Sequence, residues 1–163
     1  MTANAQSKKK TGSAKARRSA ARLAATQAVY QQLNNDQTVD DVINEYLSYR
    51  LGLPVDGQEM VTPDRTLFTA IVRGTHDRKD DLTGIILPLV HKSAEEEGSK
   101  SHDLDSLLMA ILLCGGFELM AHHDIDVPVI ISDYLHVTHA FYEQGESRLV
   151  NAVLDKIGTS LRS

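Results

Sequence analysis

The sequence predicts an all-α protein, a single helical bundle of about seven helices. Three observations carry this. No stretch sustains the period-two alternation of a half-buried strand between hairpin turns. Apolar residues instead recur at three- and four-residue spacings along most of the chain. Residues 14–33, AKARRSAARLAATQAVYQQL, contain seven Ala and no Pro, Gly or acid, a composition of high helix propensity. At 163 residues the chain is long enough for one domain with a core of its own.

Residues 14–33 form the first helix. At about 100° per residue, Lys15, Arg18 and Arg22 fall into one cationic stripe. Ala20, Ala21, Ala24, Ala25 and Ala28 cover most of the remaining circumference, so neighbours can approach closely on more than one side. The reading is a structural helix whose N-terminal end carries a polyanion-binding edge. Asn34, Asn35 and Asp36 end it, and Thr38 with Asp41 resembles a capping box for a second helix through Leu51. Gly52, Pro54 and Gly57 make a loop. A third helix is expected to begin at Pro63, with Thr62 as N-cap and Asp64 in its first turn.

Gly74, Gly84 and Pro88 argue against one continuous helix through residues 67–90, with a kink or restart at Pro88. Residues 94–102, AEEEGSKSH, read as a polar connection. Asp103 then opens the most apolar helix, residues 104–121. A helix apolar on every side is buried on every side, which makes this the central core helix. Gly115 and Gly116 inside it suggest close approach by a neighbour. Asp126 and Pro128 start the next helix, expected to reach Glu143 and to be closed by Gln144 and Gly145. The last helix turns Leu149, Val150, Val153, Leu154 and Ile157 inward.

Charge is distributed unevenly. Residues 1–22 hold seven of the 17 Lys and Arg and none of the 22 acids, leaving ten bases against 22 acids in the remainder, a net of −12. A basic arm on an acidic body is a footprint of nucleic-acid binding through the arm, and the acidic body suits a basic protein partner. Residues 1–13 are polar and lysine-rich and are expected to stay disordered until bound. They have charge without a following apolar segment, unlike a secretory signal. The longest apolar run, residues 107–117, is short of the ~20 residues that cross a bilayer.

Cys114 is the only cysteine, which excludes a disulfide framework and fits a reducing compartment. It lies in the apolar run Leu-Leu-Cys-Gly-Gly-Phe, where burial makes an inert thiol. No nucleophile elbow, phosphate loop, dinucleotide fingerprint or paired-cysteine motif occurs, so the sequence gives no case for an enzyme. His136, His139 and Glu143 share a helical face, and His122, His123 and Asp124 follow the core helix. With no third ligand fixed by spacing, both groups read as solvated or core-edge side chains rather than a metal site.

Beyond these readings, RRSAARLAATQAVYQ, from Arg17, resembles the N-terminal signature of the NusB family of bacterial transcription antitermination factors. The segment LDSLLMAILLCGGFEL is similar to that family's central helix ending in Tyr-Glu-Leu. Ile131-Ser132-Asp133-Tyr134 resembles its Ile-x-Glu helix, and residues 148–155, RLVNAVLD, its closing motif. These matches run colinearly over about residues 14–158.

The resemblance implies an all-α RNA-binding domain over residues 14–163 that needs no cofactor and acts in the cytoplasm. It implies binding to the boxA element of nascent ribosomal RNA together with NusE, a ribosomal protein of the small subunit, within the RNA polymerase antitermination complex. Residue by residue, Arg17, Arg18 and Arg22 take the Arg-rich RNA-contacting role, with Lys15 on the same stripe. Arg148 and Leu149 take a second RNA patch, and Tyr30 and Glu118 the partner-binding positions. Three residues depart from the family pattern: Leu149 stands for Phe, Leu113 for Arg in the core helix, and Ala152 for Gly. An outward Leu149 would touch RNA without the stacking face of an aromatic ring. The alternative reading is a helical interaction or regulatory domain related to the N-terminal part of ribosomal RNA methyltransferases. Those carry a catalytic domain after the helical one, for which a chain ending at Ser163 leaves no room.

Overall fold

The computed structural model describes residues 12–51, 61–96, 98 and 104–162. The basic arm up to residue 11, the glycine- and proline-bearing loop at 52–60 and Asp103 lie outside these. Seven α-helices and no strand are present among the described residues, as the sequence predicts.

Helix α1 spans Ala14–Leu33. Ser13 caps it, its side chain accepting from the amide of Ala16. Thr38 caps α2, Val39–Glu45, by accepting from Asp41. The chain then widens into a π-helical turn, Tyr46–Arg50, where the amide of Leu51 donates to the carbonyl of Tyr46. That turn lays Tyr46 against Phe68 with ring centroids 5.5 Å apart, and sets Arg50 over the outer face of Tyr46.

The third helix, α3, spans Arg65–Asp77 and starts later than expected. Its cap is Asp64, whose carboxylate accepts from Leu67, and Pro63 lies buried before it. The chain turns at Arg78 and not at a glycine or proline. Helix α4, Lys79–Glu96, runs unbroken through Gly84 and Pro88. Asp80 and Asp81 in its first turn are the restart signal, since acids there are favoured by the helix dipole. Leu82, Ile86, Val90 and Ala94 are buried at every fourth position, which offsets the hydrogen bond that Pro88 cannot make. Pro88 itself faces solvent.

Helix α5, Ser106–Ala121, is capped by Asp105 and is buried at every residue from Ala110 through Leu119. It packs against α1, α3, α4, α6 (Val127–Phe141) and α7 (Gln144–Leu161), the central position its composition predicts. Gly115 admits Leu154 and Tyr134, which a Cβ there would meet at 3.0 and 3.3 Å. Gly74 on α3 is the tighter contact. A Cβ would stand 2.0 Å from the ring of Phe117, so a glycine with the look of a helix breaker is the seat of a core aromatic. Helix α6 ends at Phe141, short of Glu143, and Gln144 and Gly145 open α7 where the sequence suggests a closing turn. Arg162 then donates to the carbonyls of Glu118, Leu119, His122 and Ile125, tying the end of α7 to the α5–α6 turn.

Candidate nucleic-acid interface

The N-terminal turns of α1 present Lys15 and Arg18 to solvent, with Arg17 half-buried beside them. No acid lies in this segment, and none of the three cations is in an ion pair with a described residue. Arg17 Nε donates to the carbonyl of Thr62 at 3.1 Å, and its own carbonyl accepts from Asp64. The strand of chain before α3 is thereby pinned along the basic turn. The amide end of α1 adds a partial positive charge to the same edge. The result is a rigid positive surface of the kind that tracks a phosphate backbone.

Arg22 does not extend this surface. The stripe of Lys15, Arg18 and Arg22 is broken after Arg18, because Arg22 is 1% exposed. Its Nε and Nη2 donate to the two carboxylate oxygens of Glu118 at 2.8 and 3.1 Å, and its Nη1 donates to Asp133 at 2.6 Å. Ser19 donates to Asp133, while the hydroxyl of Tyr134 donates to Glu118 at 2.6 Å. His122 Nδ1 is hydrogen-bonded to the other oxygen of Glu118 at 2.9 Å. The network joins α1, α5 and α6 by one guanidinium. An expectation of an outward Arg22 is thus corrected. The helical stripe holds as an angle, but α5 and α6 bring two carboxylates to that face, and a guanidinium fork matches them in pairs.

The same network removes Glu118 from any partner surface, since it is 0% exposed. Burial by itself would favour its neutral form. The hydrogen bonds from His122 and Arg22, the charge of Arg22 and the hydroxyl of Tyr134 outweigh that and hold the carboxyl below the ordinary range. Burial would likewise lower Arg22, but hydrogen bonding to Glu118 and Asp133 and the charge of Glu118 raise it. Tyr134 is pushed well above the usual phenol range, first by burial and then by the adjacent Glu118 charge. Asp133 and Tyr134 are visible in sequence only as part of a motif. Their role emerges when α6 folds across α1.

The second expected patch is also rearranged. Arg148 is exposed on α7, but Leu149 is 1% exposed and packs in the core with Val150 and Val153. The outward Leu149 is therefore corrected. On α7 the inward face runs through 149, 150, 153, 154 and 157, a helical stripe to which Leu149 belongs. The aromatic residue that faces out at this corner is Phe141, 42% exposed, beside Arg148 in a shallow depression also bordered by His139 and Gln144. Contacts between Arg22 and Glu118 and between Asn34 and Ser106 show α1 and α5 running antiparallel. Tyr142 bonds to Asp105, so the Arg148 corner sits at the end of the bundle opposite Lys15 and Arg18. Sixteen residues of α1, about 24 Å, separate the level of Arg18 from that of Asn34.

Tyr30 is 42% exposed and borders an apolar groove shared with Leu23, Tyr46 and Tyr49. Cys114 is fully buried and its thiol is pushed up to about 12 by desolvation. Among the described residues no group of three or more His, Cys, Asp or Glu is arranged to hold a metal ion. No helix among them is long and apolar enough to cross a membrane.

Residues 19–159 match the model of the NusB family. The chain is 39% identical over 145 residues to a protein of Allorhizobium ampelinum named transcription antitermination protein NusB, covering 89% of this chain and 88% of that protein. A protein of the same name from Brucella anthropi is 40% identical over 146 residues, 90% of this chain and 84% of the relative. Among solved structures, NusB of T. maritima superposes with a TM-score of 0.68 at 18% identity, over 90% of this chain and 93% of that one, a match in fold. The helical order, the buried core helix and this agreement over nearly the whole length lead to one assignment: the chain belongs to the NusB family.

Proposed function

We propose that this protein is a transcription antitermination factor that binds boxA-type single-stranded RNA of nascent ribosomal transcripts, together with the ribosomal protein NusE. The observation that carries the reading is the acid-free basic edge of α1, with Lys15 and Arg18 exposed and Arg17 held beside them by Thr62. The rigid bundle behind it supports the orientation of those cations, because the Arg22 network locks α1 to α5 and α6 directly below them. Arg148 extends the RNA contact at the far corner, with Phe141 offering the outward ring there. Tyr30, on the exposed side of α1, is assigned to the protein partner.

The body of the chain is acidic, which favours fast association with a basic partner at low salt. The pair then offers RNA one continuous surface, so its affinity exceeds that of this chain alone. The test is a binding titration with boxA-type RNA and a scrambled control, with and without NusE. Equal affinity for the two RNAs would reject the sequence-specific reading, and equal affinity with and without NusE would reject the joint surface.

A further inference from the structure

Beside the basic edge, a groove of about 870 Å³ runs between α1 and the π-helical turn. Leu23 and Gln27 of α1 form one wall, Tyr49 and Arg50 the other, and Val61 and Pro63 close the end nearest the edge. The groove and the basic edge share structure. Arg17 donates to the carbonyl of Thr62, which lies between those two closing residues, so cation and groove are fixed to each other. The π-helical turn sets the opposite wall. Residues three apart on an α-helix share a face, and a wider turn rotates the later one away. Tyr46 accordingly stays in the core at 4% exposure, while Tyr49 stands out at 73%. Arg50 is held over the Tyr46 ring and against Glu45, which fixes its guanidinium at the groove's border.

No described residue lining the groove is acidic, in a body that carries 22 acids against ten bases. Across from Tyr49, the Gln27 side chain is exposed and unbonded to any described residue. An outward aromatic ring, a fixed guanidinium and an available amide are the parts that hold unpaired bases. The ring and guanidinium stack, the amide bonds to a base edge, and the lining offers no carboxylate to repel phosphates. A basic polypeptide, by contrast, would find no opposite charge in this lining. We infer that the groove takes the bases of the strand whose phosphates lie on Lys15, Arg17 and Arg18. Tyr49 stacks on one base and Gln27 bonds to a base edge. This rests on the RNA-binding reading above and adds to it the residues that contact bases.

The test is titration of the full chain with boxA-type RNA over a range of salt, repeated with strands carrying single abasic positions. Tyr49→Ala should weaken binding about tenfold at every salt concentration, with the melting temperature and the salt slope unchanged, because stacking releases no counterion. Tyr49→Phe should keep the native affinity. One abasic position should cost the native chain a similar factor and cost Tyr49→Ala nothing. The chain has no Trp, so in Tyr49→Trp the single indole should lose emission as RNA binds. Native RNA binding with Tyr49→Ala indifferent would overturn the groove assignment and leave the basic edge standing. So would a Tyr49→Ala variant that loses only its hold on a basic protein partner. Absence of RNA binding by the native chain would overturn both readings.

Discussion

Arg18 and Arg22 stand one turn apart on the same helix, and they have opposite fates. Arg18 faces solvent with no ion-pair partner among the described residues, whereas Arg22 is buried and bonds to two carboxylates. The local sequence around them is nearly the same, a run of Ala, Ser and Arg. What differs is which neighbour covers each angle of α1. Helices α5 and α6 press on the Arg22 side and bring Glu118 and Asp133 with them. A cation on a small-residue helix is therefore a ligand contact or a structural tie depending on the acids packed opposite.

The largest break in this comparison comes from removing one member of the buried pair. Arg22→Ala strands Glu118 and Asp133 without their cation and should cost about 3–5 kcal/mol in urea unfolding. Replacing Arg22, Glu118 and Asp133 together by apolar side chains should recover much of that loss, because a buried ionic network is worth little against well-packed apolar side chains. A triple variant as unstable as the single one would mean that the network does more than neutralise itself.

Leu149→Phe gives a smaller effect that sharpens the contrast at the other end of the bundle. With residue 149 in the core, the added volume should cost about 1–3 kcal/mol, with no gain in RNA affinity. Tighter RNA binding at an unchanged melting temperature would place this side chain outside.

The pH dependence follows from Glu118. Its carboxyl lies lower in the folded protein than in the unfolded chain. Around and below the ordinary carboxylate range the unfolded chain therefore binds more protons. The contribution is fully present above about 4.5 and is lost as pH falls through the depressed value. Urea midpoints for the native chain and Glu118→Gln, measured from pH 7 to pH 3, should converge as pH falls. Parallel curves would remove Glu118 as the source.

Arg18→Ala should move stability least, within about 0.5 kcal/mol. Its signature is in RNA binding. Without one phosphate interaction on a single strand, the slope of log K against log[salt] flattens by about 0.7. An unchanged slope would shift the RNA-binding surface away from α1.

The helices themselves were legible as elements, and several of their caps as well. Ala14–Leu33 is bounded as its composition says, Thr38 caps the next helix, and the unbroken apolar run through Leu119 is buried as such a run must be. The boundaries that misled were those marked by glycine and proline. Gly74, Gly84 and Pro88 all lie inside helices, because each sits where packing accepts it: one under Phe117, the others on the open face of α4. Of the expected site, Lys15, Arg17, Arg18, Tyr30 and Arg148 retain exposed surface, while Arg22, Glu118 and Leu149 do not.

The sequence by itself determined the all-helical architecture, the central helix and the basic N-terminal edge. Each depends on periodicity, capping and charge within a span of residues shorter than a helix. Only the tertiary structure decided which arginine is free. The carboxylates that claim Arg22 lie 96 and 111 residues further along the chain. A long-range ion pair leaves no periodic trace in the segment it captures.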